Sequence, residues 1–309
     1  MTKADTYLYY DIHNILKNGY KDVDPRPRYA DGTPAYTISV NQVLRKYDLA
    51  AGEFPLLTLR PIAIKTGIRE IFAIYQKGTH ILSEMRDLGI GWWDDWDIGD
   101  GTIGHRYGYT VNQYDLMNRL LDDIKKDPYG RRKVMSLWQE ENLRETPGLA
   151  PCAFLTMWNV RGEYLDMTLV QRSGDMLTAS GAGGINEVQY ACLLLMTARH
   201  TGYRPGVFAH FVQNEQIYDR HYEQADELVR RYEELKKKEE AAESGSGCDT
   251  DSGSKSGPGY DTDSGSKSGP GPVVLLKDTA KDFFSMSIDD FEILNYEPIR
   301  PQLKFELGI

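Results

Sequence analysis

The chain has 309 residues, of which 40% are hydrophobic and 27% charged, and its formal net charge is -10. That composition supports a large buried core and excludes a chain disordered throughout. The acidic balance repels phosphate at long range, which argues against general nucleic-acid or anionic-membrane binding; any bound anion needs a local arginine cluster.

In chain order, residues 4–18 place Tyr7, Ile12, Ile15 and Leu16 at helical spacing. The opening MTKADTYLYYDIHNIL lacks the apolar core of a secretion signal, so a cytoplasmic location is expected. Residues 36–47 (YTISVNQVLRKY) read as a strand, residues 62–76 and 78–88 as helices. An amphipathic helix is predicted over 113–126, stopping before Pro128. KVMSLW, FLTMWNV and YLDMTLV follow as three strand-like runs. Residues 187–200 are apolar almost all round but too short to cross a bilayer, which predicts a buried helix. VFAHFV reads as a strand, and residues 219–243 as a charged helix with Leu228, Val229, Tyr232 and Leu235 on one face. VVLLK and LKFEL are expected to close the chain as strands. Strands seldom alternate with helices in βαβ fashion, so the expected class is α+β, layered around a mixed sheet.

One segment stands apart. Residues 244–272 contain CDTDSGSKSGPG followed by YDTDSGSKSGPG, a period of 12. Such Gly, Ser, Asp and Pro content offers little apolar area to bury, so a flexible loop is expected. Its Asp-rich turns lack the ligand spacing of an EF-hand loop. Helix and strand signals flank it, so the reading is one catalytic domain over 1–309, interrupted by an insertion at about 241–272.

The candidate chemistry begins at Cys152, just ahead of FLTMWNV. A two-residue turn after Val160 would pair Val160 with Glu163 and set Cys152 opposite Gln171, beside Arg172; a one-residue slip would set it opposite Arg172. Either way sulfur and guanidinium meet at one end of a hairpin, and the cation favours thiolate. In Gln171-Arg172-Ser173 the Arg-Ser pair supplies a fork donor and a hydroxyl, an anion grip, with Asp175 close behind. Arg131 and Arg132 stand at the start of another strand, and Arg26 and Arg28 in a loop. Trp93 and Trp96, in the Gly- and Asp-rich GWWDDWDIGDGTIGHRYG, suit a stacking wall for a flat heterocycle. Cys152, Cys192 and Cys248 have unrelated spacings, which predicts neither a disulfide framework nor a metal site. HExxH, P-loop and GxGxxG patterns are all missing from the sequence.

Taken together and in order, these pieces resemble the thymidylate synthase family. They are the arginine loop before DGTPAYT, FPLLTLR, Glu70, WDDW, GHRYG, YGRRKVMSLW, PCA, QRSGDM, Asn186, IYDRH and FSMSIDDFEILNYEP, then a C-terminal isoleucine. The resemblance implies a three-layer α+β homodimer with shared active sites that reductively methylates dUMP, using 5,10-methylenetetrahydrofolate as donor of carbon and hydride, with no metal. By resemblance Cys152 attacks uracil C6, while Glu70 and Tyr107 serve proton transfer. Arg172 holds the phosphate and supports the thiolate. Arg26 and Ser173, with Arg131 and Arg132 from the other subunit, complete the phosphate site, and Gln171 is a further substrate-binding residue. Asn186 reads the uracil edge, and Gln216 and Tyr218 bind the sugar. Trp93, Asp175 and the terminal carboxylate of Ile309 face the folate. Ala153 follows the nucleophile where many relatives carry His, and Gln216 and Asn214 stand where His and Asp are usual. Two alternatives stay open: a folate-dependent pyrimidine nucleotide hydroxymethylase, and an inactive nucleotide- or RNA-binding relative.

Overall fold

A computed structural model describes residues 1–244 and 271–309. The 12-residue repeats lie outside the described residues. Helix α1 (Lys3–Asn18) starts at a capping box, in which Thr2 and Asp5 satisfy each other's backbone N–H. The short strand β1 (Tyr20–Lys21) and the long strand β2 (Thr37–Asp48) follow. Helices α2 (Ile64–Ile71) and α3 (Leu82–Asp87) come next, then α4 (Gly108–Gln113), α5 (Leu116–Lys126), β3 (Val134–Ser136) and α6 (Glu140–Glu145). The hairpin β4 (Ala153–Arg161) and β5 (Tyr164–Gln171) leads to the two-residue β6 (Gly174–Asp175), then α7 (Ile185–Thr201) and β7 (Arg204–Tyr218). Helix α8 (Tyr222–Ser244) and a second hairpin, β8 (Val273–Leu276) with β9 (Phe291–Leu294), complete the order.

Seven strands form one mixed sheet in the order β1-β2-β7-β5-β4-β3, with β6 also paired to β7. The β5–β7 and β6–β7 pairs are parallel and the others antiparallel. Along β4, Thr156, Trp158 and Val160 are buried while Met157, Asn159 and Arg161 are exposed, so only one face is covered. Helices α1 and α7 lie on that face; α2, α5, α8 and the second hairpin pack outside them as a third layer. This sandwiched position explains why α7 is apolar on all sides.

Several sequence expectations need correction. The helix expected over 62–76 gives way after Ile71 to a π-helical turn at Phe72–Lys77. The helix expected from 113 begins at Leu116, because Asp115 adopts a left-handed backbone (φ 49°) that separates α4 from α5. Strand β7 is longer than VFAHFV, since it pairs along nearly all of β2. LKFEL is not a strand: the His221 ring and the Gln224 amide engage the backbone carbonyls of Glu306 and Lys304. The FEIL strand β9 went unread in the sequence; it pairs antiparallel with β8. Within the β4–β5 hairpin Arg161 pairs with Tyr164, leaving Gly162 and Glu163 as the turn, so the expected register is shifted by two positions.

Candidate active site

The site is built where the ends of the central strands meet the start of α7. A bulge between Ala153 and Leu155 shifts the hairpin register by one residue at its open end. In consequence Arg172 N–H donates to Cys152 O at 2.9 Å, so the cysteine lies opposite Arg172. The Arg172 guanidinium donates to Pro151 O (3.0 Å) and Ala150 O (2.7 Å), which aims its remaining capacity at Cys152 Sγ, 3.4 Å away. Burial raises the Cys152 thiol above its ordinary pKa, while the charges of Arg172 and then Arg26 pull it down; burial dominates in the ligand-free site. The thiol form is therefore the resting one, with thiolate support in place on one side. Cys192, deep in α7, is pushed up by burial alone.

Around Cys152 opens a cleft of about 830 Å³, a size suited to small-molecule ligands. Arg26 and Tyr107 line it near the sulfur, together with Gln171, Arg172 and Ser173. Tyr107 has a strained backbone (φ 47°, ψ -105°), and its hydroxyl accepts from Cys152 N–H at 3.0 Å. The next residue must be glycine: a Cβ on Gly108 would lie 2.0 Å from Thr79 O. Glu70 reaches the cleft from α2, which packs closely on α7 because Gly67 leaves room for Ile185; a Cβ there would come within 2.5 Å of Ile185 Cδ1. Burial pushes the Glu70 carboxyl up to about 7, against a hydrogen bond from the Trp92 indole at 2.5 Å.

Asn186 stands in the first turn of α7, its Oδ1 accepting from Ser180 Oγ at 3.0 Å and its Nδ2 donating to Gln189 Oε1 at 3.0 Å. Pairing of β6 with β7 sets Asp175 beside Gln216, with Tyr218 two residues on. The Gln216 amide fits best with its nitrogen toward Asn214 Oδ1 (2.7 Å) and Gly174 O (3.2 Å). Burial, then the Asp175 charge, raises the Tyr218 phenol to about 12. Asp175 Oδ1 is buried without a hydrogen-bond partner among the described residues, while the Trp93 indole faces the Glu70 carboxyl and helps to hold its pKa down. Trp93 and Trp96 meet edge to face at 5.6 Å and both line the cleft.

The C-terminus lies over the cleft. Ile309 and Arg28 exchange two backbone hydrogen bonds at 2.8 and 2.9 Å, and Gly308 rests on the Tyr218 ring. Arg220 ties Glu306 (2.6 Å) and Asp31 (2.7 Å) together. Arg131 and Arg132 are not brought to this cleft: both are exposed, and neither has a side-chain partner among the described residues. They also precede the strand rather than begin it, since β3 starts at Val134.

Sequence reasoning passed over Trp92, Arg60 and Gln189, all of which line the cleft. Trp92 was the neglected half of a Trp-Trp pair. Arg60, a lone cation at the end of an apolar run, donates to Leu177 O (2.7 Å) and lies 5.2 Å from the Phe305 ring.

Comparison with known proteins agrees with this geometry. The thymidylate synthase family profile matches residues 6–242. The chain is 42% identical to thymidylate synthases of Streptococcus pneumoniae and Lactococcus lactis over 315 aligned residues, covering 100% of each chain. The solved thermostable thymidylate synthase A of Bacillus subtilis superposes with a TM-score of 0.79 at 28% identity, covering 99% of both chains. The chain belongs to the thymidylate synthase family.

Proposed function

We propose that this chain converts dUMP to dTMP by reductive methylation, with 5,10-methylenetetrahydrofolate as co-substrate. The observation that carries the reading is Cys152 Sγ held 3.4 Å from the Arg172 guanidinium, in a cleft that also receives Glu70 and Asn186. Cys152 gives up its thiol proton to solvent, with Arg172 supporting the thiolate, and adds through sulfur to C6 of the uracil ring; the ring electrons move toward O4, making C5 a nucleophile. Asn186 supplies an amide for the N3–O4 edge, where the enolate charge develops. Glu70, near 7, is suited to exchange a proton at neutral pH through water, with the Tyr107 hydroxyl beside it as a relay for the C5 proton. When C5 has gained its methyl group the C6–S bond breaks and Cys152 leaves as thiolate, restoring the C5–C6 double bond.

The folate supplies the one-carbon unit and the hydride. The unpaired Asp175 Oδ1 suits an N–H donor of a pterin, with the Trp93 indole lining the same cleft. The Ile309 end packs over that side. Arg26, Arg172 and Ser173 take the phosphate, and Gln216 and Tyr218 the sugar. Arg131 and Arg132, exposed and unpaired, are assigned to the phosphate of a second subunit in a homodimer. The chain is read as one catalytic unit over 1–309 with an insertion at about 241–272, working in the cytoplasm.

The test is 5-fluoro-dUMP with methylenetetrahydrofolate. Fluorine at C5 cannot leave as a proton, so a covalent ternary adduct accumulates, visible by intact-protein mass spectrometry. It should map to Cys152 and be missing in Cys152→Ala. An adduct on Cys192 or Cys248 overturns the assignment of the nucleophile.

A further inference from the structure

Behind Asn186 lies a buried polar network that the reaction as described does not use. Arg45, fully enclosed, donates to Glu187 (2.7 Å), Asp11 (2.8 Å) and Glu215 (2.8 Å). Burial, the largest single influence, would raise the Glu187 carboxyl, but Arg45, His210 and Tyr47 together outweigh it and hold the group at about 2. Glu187 also accepts from Tyr47 Oη and from Gly183 N–H, each at 2.7 Å. His210 joins this network to the cleft: Nδ1 faces Glu187 Oε1 at 3.0 Å and Arg45 Nη2 at 3.4 Å, and Nε2 faces Gln171 Oε1 at 3.1 Å.

Donor and acceptor rules fix the direction of the chain from His210 to the site. The carbonyl of Ser173 can only accept, so the Gln171 atom 2.9 Å from it is the amide nitrogen. The Gln171 oxygen then faces His210, which requires a proton on Nε2. Burial opposes a charged ring and Glu187 favours one. The proton on Nε2 is required in both states, with Nδ1 donating to Glu187 in the cation and accepting from Arg45 in the neutral ring. On the other side, Gln171 Nε2 donates to Ser180 Oγ at 2.7 Å, so the Ser180 hydroxyl spends its own proton on Asn186 Oδ1 at 3.0 Å. Gln171 Nε2 itself lies 3.4 Å from the same oxygen, but its two hydrogens are already given to Ser173 O and Ser180 Oγ. The Ser180 hydroxyl is therefore the donor that faces Asn186 Oδ1. Rotating that amide by half a turn would set its NH2 group against that hydroxyl hydrogen.

Orientation of that amide decides the base. Uracil offers N3–H and O4 and needs the Asn oxygen at N3 and the nitrogen at O4; cytosine presents the reverse pattern and needs the amide turned over. We propose that His210, held by Glu187, is a positioning residue for base selection, acting through Gln171 and Ser180 to lock Asn186 in the orientation that accepts uracil and rejects cytosine. This rests on the reading of Asn186 given above. Neither His210 nor Glu187 lines the cleft.

Two readouts test it. In nitrogen-15 spectra of the ligand-free protein, the His210 ring, assigned by its loss in His210→Gln, should carry a proton on Nε2. Calorimetric titration with dUMP and dCMP should show the uracil preference falling at least about fivefold in His210→Leu, the scale of one buried polar group left unmatched. His210→Gln, which keeps an N–H donor, should recover most of it. Ser180→Ala should lower the preference in the same way and covers the case in which His210→Leu does not fold. A lone pair on Nε2, or an unchanged preference in a folded His210→Leu or Ser180→Ala, overturns the proposal. Failure of the unmodified protein to bind dUMP sinks the proposed function instead, and the ring tautomer then still decides whether the network is polarised as described.

Discussion

Glu70→Gln should stabilise the ligand-free protein in mild base and leave it nearly unchanged in acid. The carboxyl is buried in α2 and its pKa rises from an ordinary 4.5 to about 7, chiefly by loss of solvent. A group whose folded value is raised favours the folded state fully below its unfolded value, and that contribution is lost as pH climbs through the folded one. Ionising Glu70 in place therefore costs about 3 kcal/mol once the pH is well above 7. Glutamine has the same shape, keeps an acceptor for the Trp92 indole 2.5 Å away, and never ionises. Thermal melts of both proteins at one concentration, at about pH 5 and about pH 8.5, read the difference. The variant should melt several degrees higher at the upper pH, at about 2 °C per kcal/mol for a chain of this size, and within a degree or so at the lower. An equal gap at both pH values, or a wild type that is the more stable in base, would refute the reasoning that burial sets this pKa.

Three other outcomes follow from the same structure. Asn186→Asp should lower dUMP turnover by roughly one to two decades, the cost of about 1–3 kcal/mol for a mismatched buried group, and raise relative use of dCMP; steady-state kinetics on both nucleotides measure it. Mixing inactive Cys152→Ala chains with inactive Arg131→Glu/Arg132→Glu chains should restore part of the activity, because a hybrid dimer keeps one complete site; no recovery after demonstrated subunit exchange places those arginines outside a shared site. Gly108→Ala should cost about 3 kcal/mol in urea unfolding or prevent folding, since the new Cβ would meet the backbone of Thr79 with no side chain to yield.

Much of the fold was legible because periodicity reports burial. The 187–200 run announced a helix enclosed on all sides, and α7 is one, between the sheet and the outer layer. The strand-like runs FLTMWNV and YLDMTLV, separated by a short turn, announced a hairpin, and β4 and β5 form it. Its register was not legible: the turn slid by one residue to Gly162 and Glu163, which puts Gly162, with its φ of 61°, at the first turn position, and the bulge near Cys152 depends on tertiary packing. That bulge nevertheless brought Cys152 opposite Arg172, the second of the two pairings the sequence allowed. LKFEL failed as a strand because an alternating pattern says nothing about a partner, and side chains of His221 and Gln224 supply one instead. The network behind Asn186 left a faint signal in the sequence. His210 interrupts the apolar run VFAHFV and Glu187 opens an apolar helix, and a polar residue in a buried pattern needs a partner. Which partner it finds is a property of three dimensions: Glu187 and His210 are 23 residues apart and meet only when α7 returns the chain to β7.

The central claim is a reaction, and its products test it most directly. Purified protein given dUMP and methylenetetrahydrofolate should form dTMP and dihydrofolate in equal amounts, with both lost in Cys152→Ala. Hydroxymethylated nucleotide with tetrahydrofolate, or no turnover of dUMP at all, would contradict it.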